Sequence, residues 1–389
     1  MANKPEYAND TLRSIAEGIR AVCSRFDDTY WAACDSNHHF PHEFYDELAK
    51  GGWIGIAIPE EYGGGGQGIS AAAVMMREIA ASGAAMNGCS AVHLTVFGLN
   101  PVVVFGNDRL KETFLPRAAT GDLHVAFGVT EPDAGTDTSH ITTRAERDGD
   151  IWRITGRKIW TTKALESEVV LLLVRTNPDA AGTFNGMSLF LADLDPDHVD
   201  IQPIPKLGRN AVASCEVAYD GLPVEHWRMV GEEGHGFKHL LHGLNPERIL
   251  VAAEAVGIGD ASLEKAVAYA NDREVFGRRI GQNQAISHPL AQAHVQLHAA
   301  WLTIMDAADR YDAGLECGEQ ANAAKWLAAE AGFFAADRAI QTLGGMGYAS
   351  EYHVERYWRE ARLMRIAPVS QEMALNYISQ SVLGLPRSY

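Results

Sequence analysis

Between residues 125 and 240 the hydrophobic pattern of the chain changes period, and that change limits what it can fold into. Short apolar runs at Leu123–Val129, Ile151–Thr155, Val169–Arg175, Met187–Leu194 and Cys215–Tyr219 are separated by turn residues. Asp148-Gly149, between two such runs, is a hairpin signal. The segment predicts a β domain of antiparallel strands. Helical spacing governs both flanks, so the chain reads as α+β, with units over 1–124, 125–240 and 241–389. In the first unit Tyr7–Asp35 places Leu12, Ile15, Ile19 and Val22 at helical intervals, and His42–Gly51 and Ile69–Ala81 follow. In the last, Asn245-Pro246 reads as N-cap and first helical position of a helix running to about residue 271. Ser287–Asp312, Gly318–Leu343 and Ser370–Val382 then predict an antiparallel helical bundle.

The chain has 389 residues and a net charge of -17. That balance argues against nucleic acid and anionic membrane as partners. Five scattered cysteines without a CxxC pair suggest a reducing, cytoplasmic compartment, with neither disulfides nor zinc. The longest aliphatic run, Val169–Val174, is too short to span a bilayer, so no membrane insertion is expected.

Phe127–Thr162 carries the first chemical signal. FGVTEPDAGTDTSH sets Gly/Asp turns and hydroxyls behind a short strand, suited to a pyrophosphate or a ring edge. RKIWTT then puts Trp160 and Thr162 two residues apart, on one side of a strand, where an indole face and a hydroxyl suit a flat heteroaromatic ring. Gly63, Gly65 and Gly68 copy dinucleotide-fingerprint spacing, but Pro59, Glu60, Glu61 and Tyr62 precede them where a buried strand is needed, so a flexible loop is expected. His235, His239 and His242, and the pair His294 and His298, share helical faces but lack a metal-binding carboxylate pattern, and no metal is expected.

The motifs GIAIPEEYGG, VTEPDAGTD, RKIWTT, VGEEGHGF, YANDREVFG, QAI and QTLGGMGY, in that order along the chain, resemble the acyl-CoA dehydrogenase family. The resemblance implies an N-terminal helical domain, a central β domain and a C-terminal four-helix bundle. It also implies FAD held non-covalently in a homotetramer whose neighbouring subunit completes the flavin site. Carried over by position, Phe127, Val129 and Thr130 line the flavin, Gly135 and Thr136 hold its pyrophosphate, and Trp160 and Thr162 stack on and bond to the ring. Arg273, Phe276, Gln284, Gln341, Gly344 and Gly345 contact the nucleotide.

The implied reaction, in fatty acid metabolism, is α,β-desaturation of an acyl-CoA thioester. A carboxylate takes the α-proton, flavin N5 accepts the β-hydride, and electron-transfer flavoprotein takes the electrons. Many members carry the base in a loop whose position here is Pro368, which cannot act as one. Others, of the isovaleryl-CoA and long-chain types, carry it in a bundle-helix motif that LNPERIL matches, making Glu247 the expected base, with Asn245, Arg248, Ala367 and Pro368 facing substrate. In a first helical turn the dipole would favour the Glu247 anion, and substrate burial would move its proton affinity toward working pH. Pro368 also lacks the N–H that such a loop offers the thioester oxygen, so a shifted loop using Val369 is expected. An oxidase, a thioester elimination enzyme and a non-catalytic FAD- or acyl-CoA-binding subunit are the alternatives.

Overall fold

The computed structural model describes residue 7 and residues 9–387. Seven helices come first: α1 (Asp10–Cys23), α2 (Asp28–Ser36), α3 (His42–Lys50), α4 (Gly68–Ile79), α5 (Ala85–Phe97), α6 (Asn100–Phe105) and α7 (Asp108–Thr120). The single pattern expected over residues 7–35 is two helices, because Asp27 caps a new one by accepting from the Tyr30 N–H. All 13 residues of α5 are buried, so this helix is central and needs no polar face. With α4 before it and α6 after it, it forms an apolar run, Gly68–Phe105, long enough to cross a membrane, yet 78% of its most apolar window is buried inside the protein. Gly83, at φ 98, breaks the run between α4 and α5.

Strands follow: β1 (Val125–Gly128), β2 (Arg144–Asp148), β3 (Ile151–Thr162), β4 (Val169–Arg175), β5 (Met187–Asp193), β6 (Val199–Pro203), β7 (Ser214–Glu225) and β8 (Met229–Val230). They form one sheet in the order β6-β7-β3-β2-β4-β5-β8, with β1 beside β4. The Asp148-Gly149 signal closes the β2–β3 hairpin, where Asp148 pairs with Ile151. The sheet is mixed rather than antiparallel: β1 runs parallel to β4, and β2 meets β4 in parallel at Arg144–Arg175. β4 is buried along its whole length, as a strand covered on both faces must be.

The chain then enters α8 (Gly236–Asp272), a small hairpin of β9 (Glu274–Val275) and β10 (Arg278–Arg279), and α9 (Gln284–Asp312), α10 (Gly318–Leu343), α11 (Val354–Leu363) and α12 (Gln371–Tyr377). Helices α8 to α11 pack as the bundle, and α4 and α5 lie against α8. The reading of Asn245-Pro246 as a helix start is corrected. Helix α8 begins at Gly236 and runs through Pro246, which removes one backbone hydrogen bond without ending the helix. Helix α11 carries no spacing signal that had been read.

The helix after the Gly63, Gly65 and Gly68 loop has its first N–H groups satisfied from within the protein. Asp312 of α9 already accepts from the N–H groups of Ile69 (2.7 Å) and Ser70 (2.9 Å) at the start of α4. A Cβ on Gly68 would lie 2.7 Å from that carboxylate.

Candidate active site

The expected base lies on the seam between α5 and α8. Glu247 sits about three turns inside α8, not in its first turn, so the helix dipole does not act on it as expected. A different group supplies the positive charge. His93 of α5 reaches Glu247 Oε2 through Nε2 at 2.8 Å and Glu254 Oε1 through Nδ1 at 2.7 Å. All three side chains are buried. Burial alone would discharge the imidazole, but the two carboxylates hold its pKa well above the ordinary histidine value. Both ring nitrogens therefore carry protons and donate. The sequence signal for this arrangement was the seven-residue spacing of Glu247 and Glu254, which puts both on one helix face. It went unread, as did the single His in apolar α5. The neighbouring Arg248 donates to Asn245 Oδ1 at 3.1 Å.

From His93 an aromatic path leads to β1. Its ring lies 5.6 Å from that of Phe97, which lies 6.3 Å from Phe127. Beyond β1, the VTEPDAGTD turn is pinned by buried Glu131. Its carboxylate accepts from Thr142 N–H (2.7 Å), Thr142 Oγ1 (2.8 Å), Thr143 N–H (2.9 Å) and Lys158 Nζ (2.9 Å). Burial opposes the charge, but Lys158 and these donors hold the carboxyl down at about 2. Lys158 also donates to the Val129 carbonyl, and Ile159 N–H to that of Thr130, joining the turn to β3. Gly135 and Thr136 are exposed at the tip.

Trp160 lies at an irregularity in the β3–β7 register, with φ 62, and its side is 52% exposed. A bulky residue held in the left-handed region is strained, and that strain here aims an indole at open space. Thr162 accepts from the Arg209 guanidinium at 3.3 Å. Arg209 also donates to Ser90 Oγ at 3.2 Å, tying β3 to α5, and it is a residue the sequence reading missed.

A separate open cavity of about 660 Å³ lies at the far end of α8. It brings together Arg273, Phe276, Gly344 and Gly345, with Arg278 alongside. Gln284 and Gln341 are exposed on adjoining helices but do not line it. Ala367 is half-buried and Pro368 exposed in the loop before α12, where Val369 N–H makes no hydrogen bond among the described residues.

Profiles of the acyl-CoA dehydrogenase N-terminal, middle and C-terminal domains match residues 9–122, 126–222 and 234–383. The chain belongs to the acyl-CoA dehydrogenase family. It is similar to acyl-CoA dehydrogenase fadE12 of Mycobacterium bovis, 38% identical over 98% of each chain. It is also similar to an acyl-CoA dehydrogenase of Bacillus subtilis, 35% identical over 90% of this chain and 92% of that one. Its fold matches a glutaryl-coenzyme A dehydrogenase in complex with glutaryl-CoA, with a TM-score of 0.94, 29% identity and 98% of each chain covered.

Acyl-CoA dehydrogenases are FAD-dependent oxidoreductases acting on CH–CH bonds, and the residues here suit that cofactor. A Cβ on Gly135, Gly344 or Gly345 would meet nothing within 4 Å, which leaves room for a ligand against the backbone. Arg273 and Arg278 supply fixed forks for phosphate, and Trp160 supplies an exposed aromatic face.

Proposed function

We propose that this acyl-CoA dehydrogenase converts an acyl-CoA thioester to the 2-enoyl-CoA, with Glu247 as the base, and passes the electrons to an electron-transfer flavoprotein. The observation that carries this reading is Glu247 itself: a buried carboxylate, bonded to His93 through one oxygen only, a short aromatic path from β1. Its Oε1 accepts no hydrogen bond among the described residues and is available to the α-proton. Bound FAD supplies the two-electron acceptor. Phe127, Val129, Thr130, Trp160 and Thr162 orient its ring, Gly135 and Thr136 face its pyrophosphate, and Arg273, Phe276, Gln284, Gln341, Gly344 and Gly345 hold its nucleotide end. Asn245, Arg248, Ala367 and Pro368 border the substrate, and Val369 N–H is the donor to the thioester oxygen in place of Pro368.

Phe276 is 99% exposed on a two-strand hairpin at the cavity rim. An apolar ring so placed supports a homotetramer in which a neighbouring copy covers it and completes the nucleotide site. The three units divide near residues 124 and 240.

Anaerobic mixing with a panel of acyl-CoAs tests the reading. Wild-type flavin bleaches with at least one of them, and Glu247→Gln keeps its flavin but loses at least about a thousandfold in rate, the scale of removing the proton acceptor. Bleaching of the Gln variant at the wild-type rate rejects Glu247 as the base.

A further inference from the structure

The Glu247–His93–Glu254 array is more than the base requires. Helix α8 alone would place a carboxylate at 247. The structure spends a second buried carboxylate and a buried imidazole on holding it. Buried charges are retained only where partners compensate them, and here each ring nitrogen meets one carboxylate oxygen, at 2.8 and 2.7 Å. The two bonds use both ring nitrogens, so the histidine is neither a nucleophile nor a metal ligand. The surroundings leave it few other partners. Arg209, from the loop between β6 and β7, interacts with Glu360 of α11 and with Glu254. Cys89 of α5 lies near Glu254 with its thiol pushed up by burial, and Arg248 acts on Glu247. The second Glu254 oxygen, Oε2, is buried without a hydrogen-bond partner among the described residues.

We propose that His93, backed by Glu254, is a positioning residue for the reaction: it fixes Glu247 Oε2, leaves Oε1 to the substrate, and sets the proton affinity of the base. The inference rests on Glu247 being that base. In the step concerned, the α C–H bond breaks, its electron pair stays with the substrate, and the proton goes to Glu247 Oε1. The Nε2–H bond to Oε2 is kept. The Nδ1 proton can pass to Glu254, so that the array loses its net negative charge and its internal charge separation together. The three groups are joined by hydrogen bonds into one unit, so removing His93 changes the charge that Glu247 faces.

The test is the pH dependence of kcat/KM for holoenzyme with butyryl-, isovaleryl- and octanoyl-CoA, followed with a redox dye, for His93→Gln and for His93→Gln/Glu254→Gln. In the single variant Glu247 loses a cation and still faces Glu254. The acid limb is expected to move to higher pH by about 1–3 units, the usual effect of a charge at that range. In the double variant the remaining like charge is gone, and the limb is expected to move part of the way back. A purely structural histidine would lower stability and leave the limb where it was. An acid limb at the wild-type position in the flavin-loaded single variant overturns the proposal. So does failure of both to accumulate as holoprotein, which would assign the array to stability alone. Glu247→Gln is measured in parallel: a variant with wild-type activity defeats the base, whereas an inactive one beside an unmoved His93→Gln profile defeats only the positioning role.

Discussion

Glu131 shows how one buried acid organises the ligand-facing turn. Its carboxylate is held at about 2 by Lys158 and the Thr142 and Thr143 donors, below its ordinary value of 4.5. A carboxyl depressed in the folded state adds stability above the unfolded value and loses it as pH falls through the folded one. This contribution is therefore complete above about pH 4.5 and fades toward pH 2. Lys158 is fully buried, and burial pulls it to about 8 even with Glu131 beside it. Glu131→Gln leaves that ammonium without an anion and is expected to cost about 3–5 kcal/mol in urea denaturation at pH 7, with loss of flavin on gel filtration. The same variant should show a flatter stability profile between pH 2 and 4.5 than wild type. At this scale the sequence was partly legible. Trp160 and the turn were visible because Gly, Asp and Trp mark turns and ring faces locally. His93, Glu254 and Arg209 were not, because a lone polar residue in an apolar helix shows its purpose only once its partner helix is in place.

The helices make the same division. Gly318–Leu343 was readable to the residue because nothing competes with its pattern. The start of α8 was misplaced because Asn-Pro is as good a local cap as any, and only packing carries the helix through it. A fully buried strand such as β4 reads as an apolar run in any sheet, so its parallel neighbour β1 could not be told from an antiparallel one. The start of α4 shows long-range capping: Asp312 satisfies two N–H groups more than 240 residues away in sequence. Asp312→Ala is expected to cost about 0.5–2 kcal/mol, the usual cap contribution, read as a lower urea midpoint with flavin reduction kept. A substitution that abolished reduction while leaving the midpoint unchanged would mean that Asp312 acts at the site and not on the helix.

For the whole molecule, the order helix, sheet, bundle was legible from the two changes of period, whereas which surfaces meet other copies was not. Phe276 is the sharpest test. Phe276→Ser should lower the mass measured by light scattering and the flavin-to-protein ratio together, because one surface serves both. A change in mass with full flavin content would separate the two. The central helix carries a consequence for how the chain is made. In α5, Asn87 bonds to Glu360, Ser90 to Arg209 and His93 to Glu247 and Glu254, all of them later in the chain. A ribosome delivers the helix long before any of these partners. Asn87 has Asp35, already made, as one partner, but Ser90 and His93 have only water or a chaperone until the later partners arrive, so a fully buried helix is made well before the residues that satisfy it.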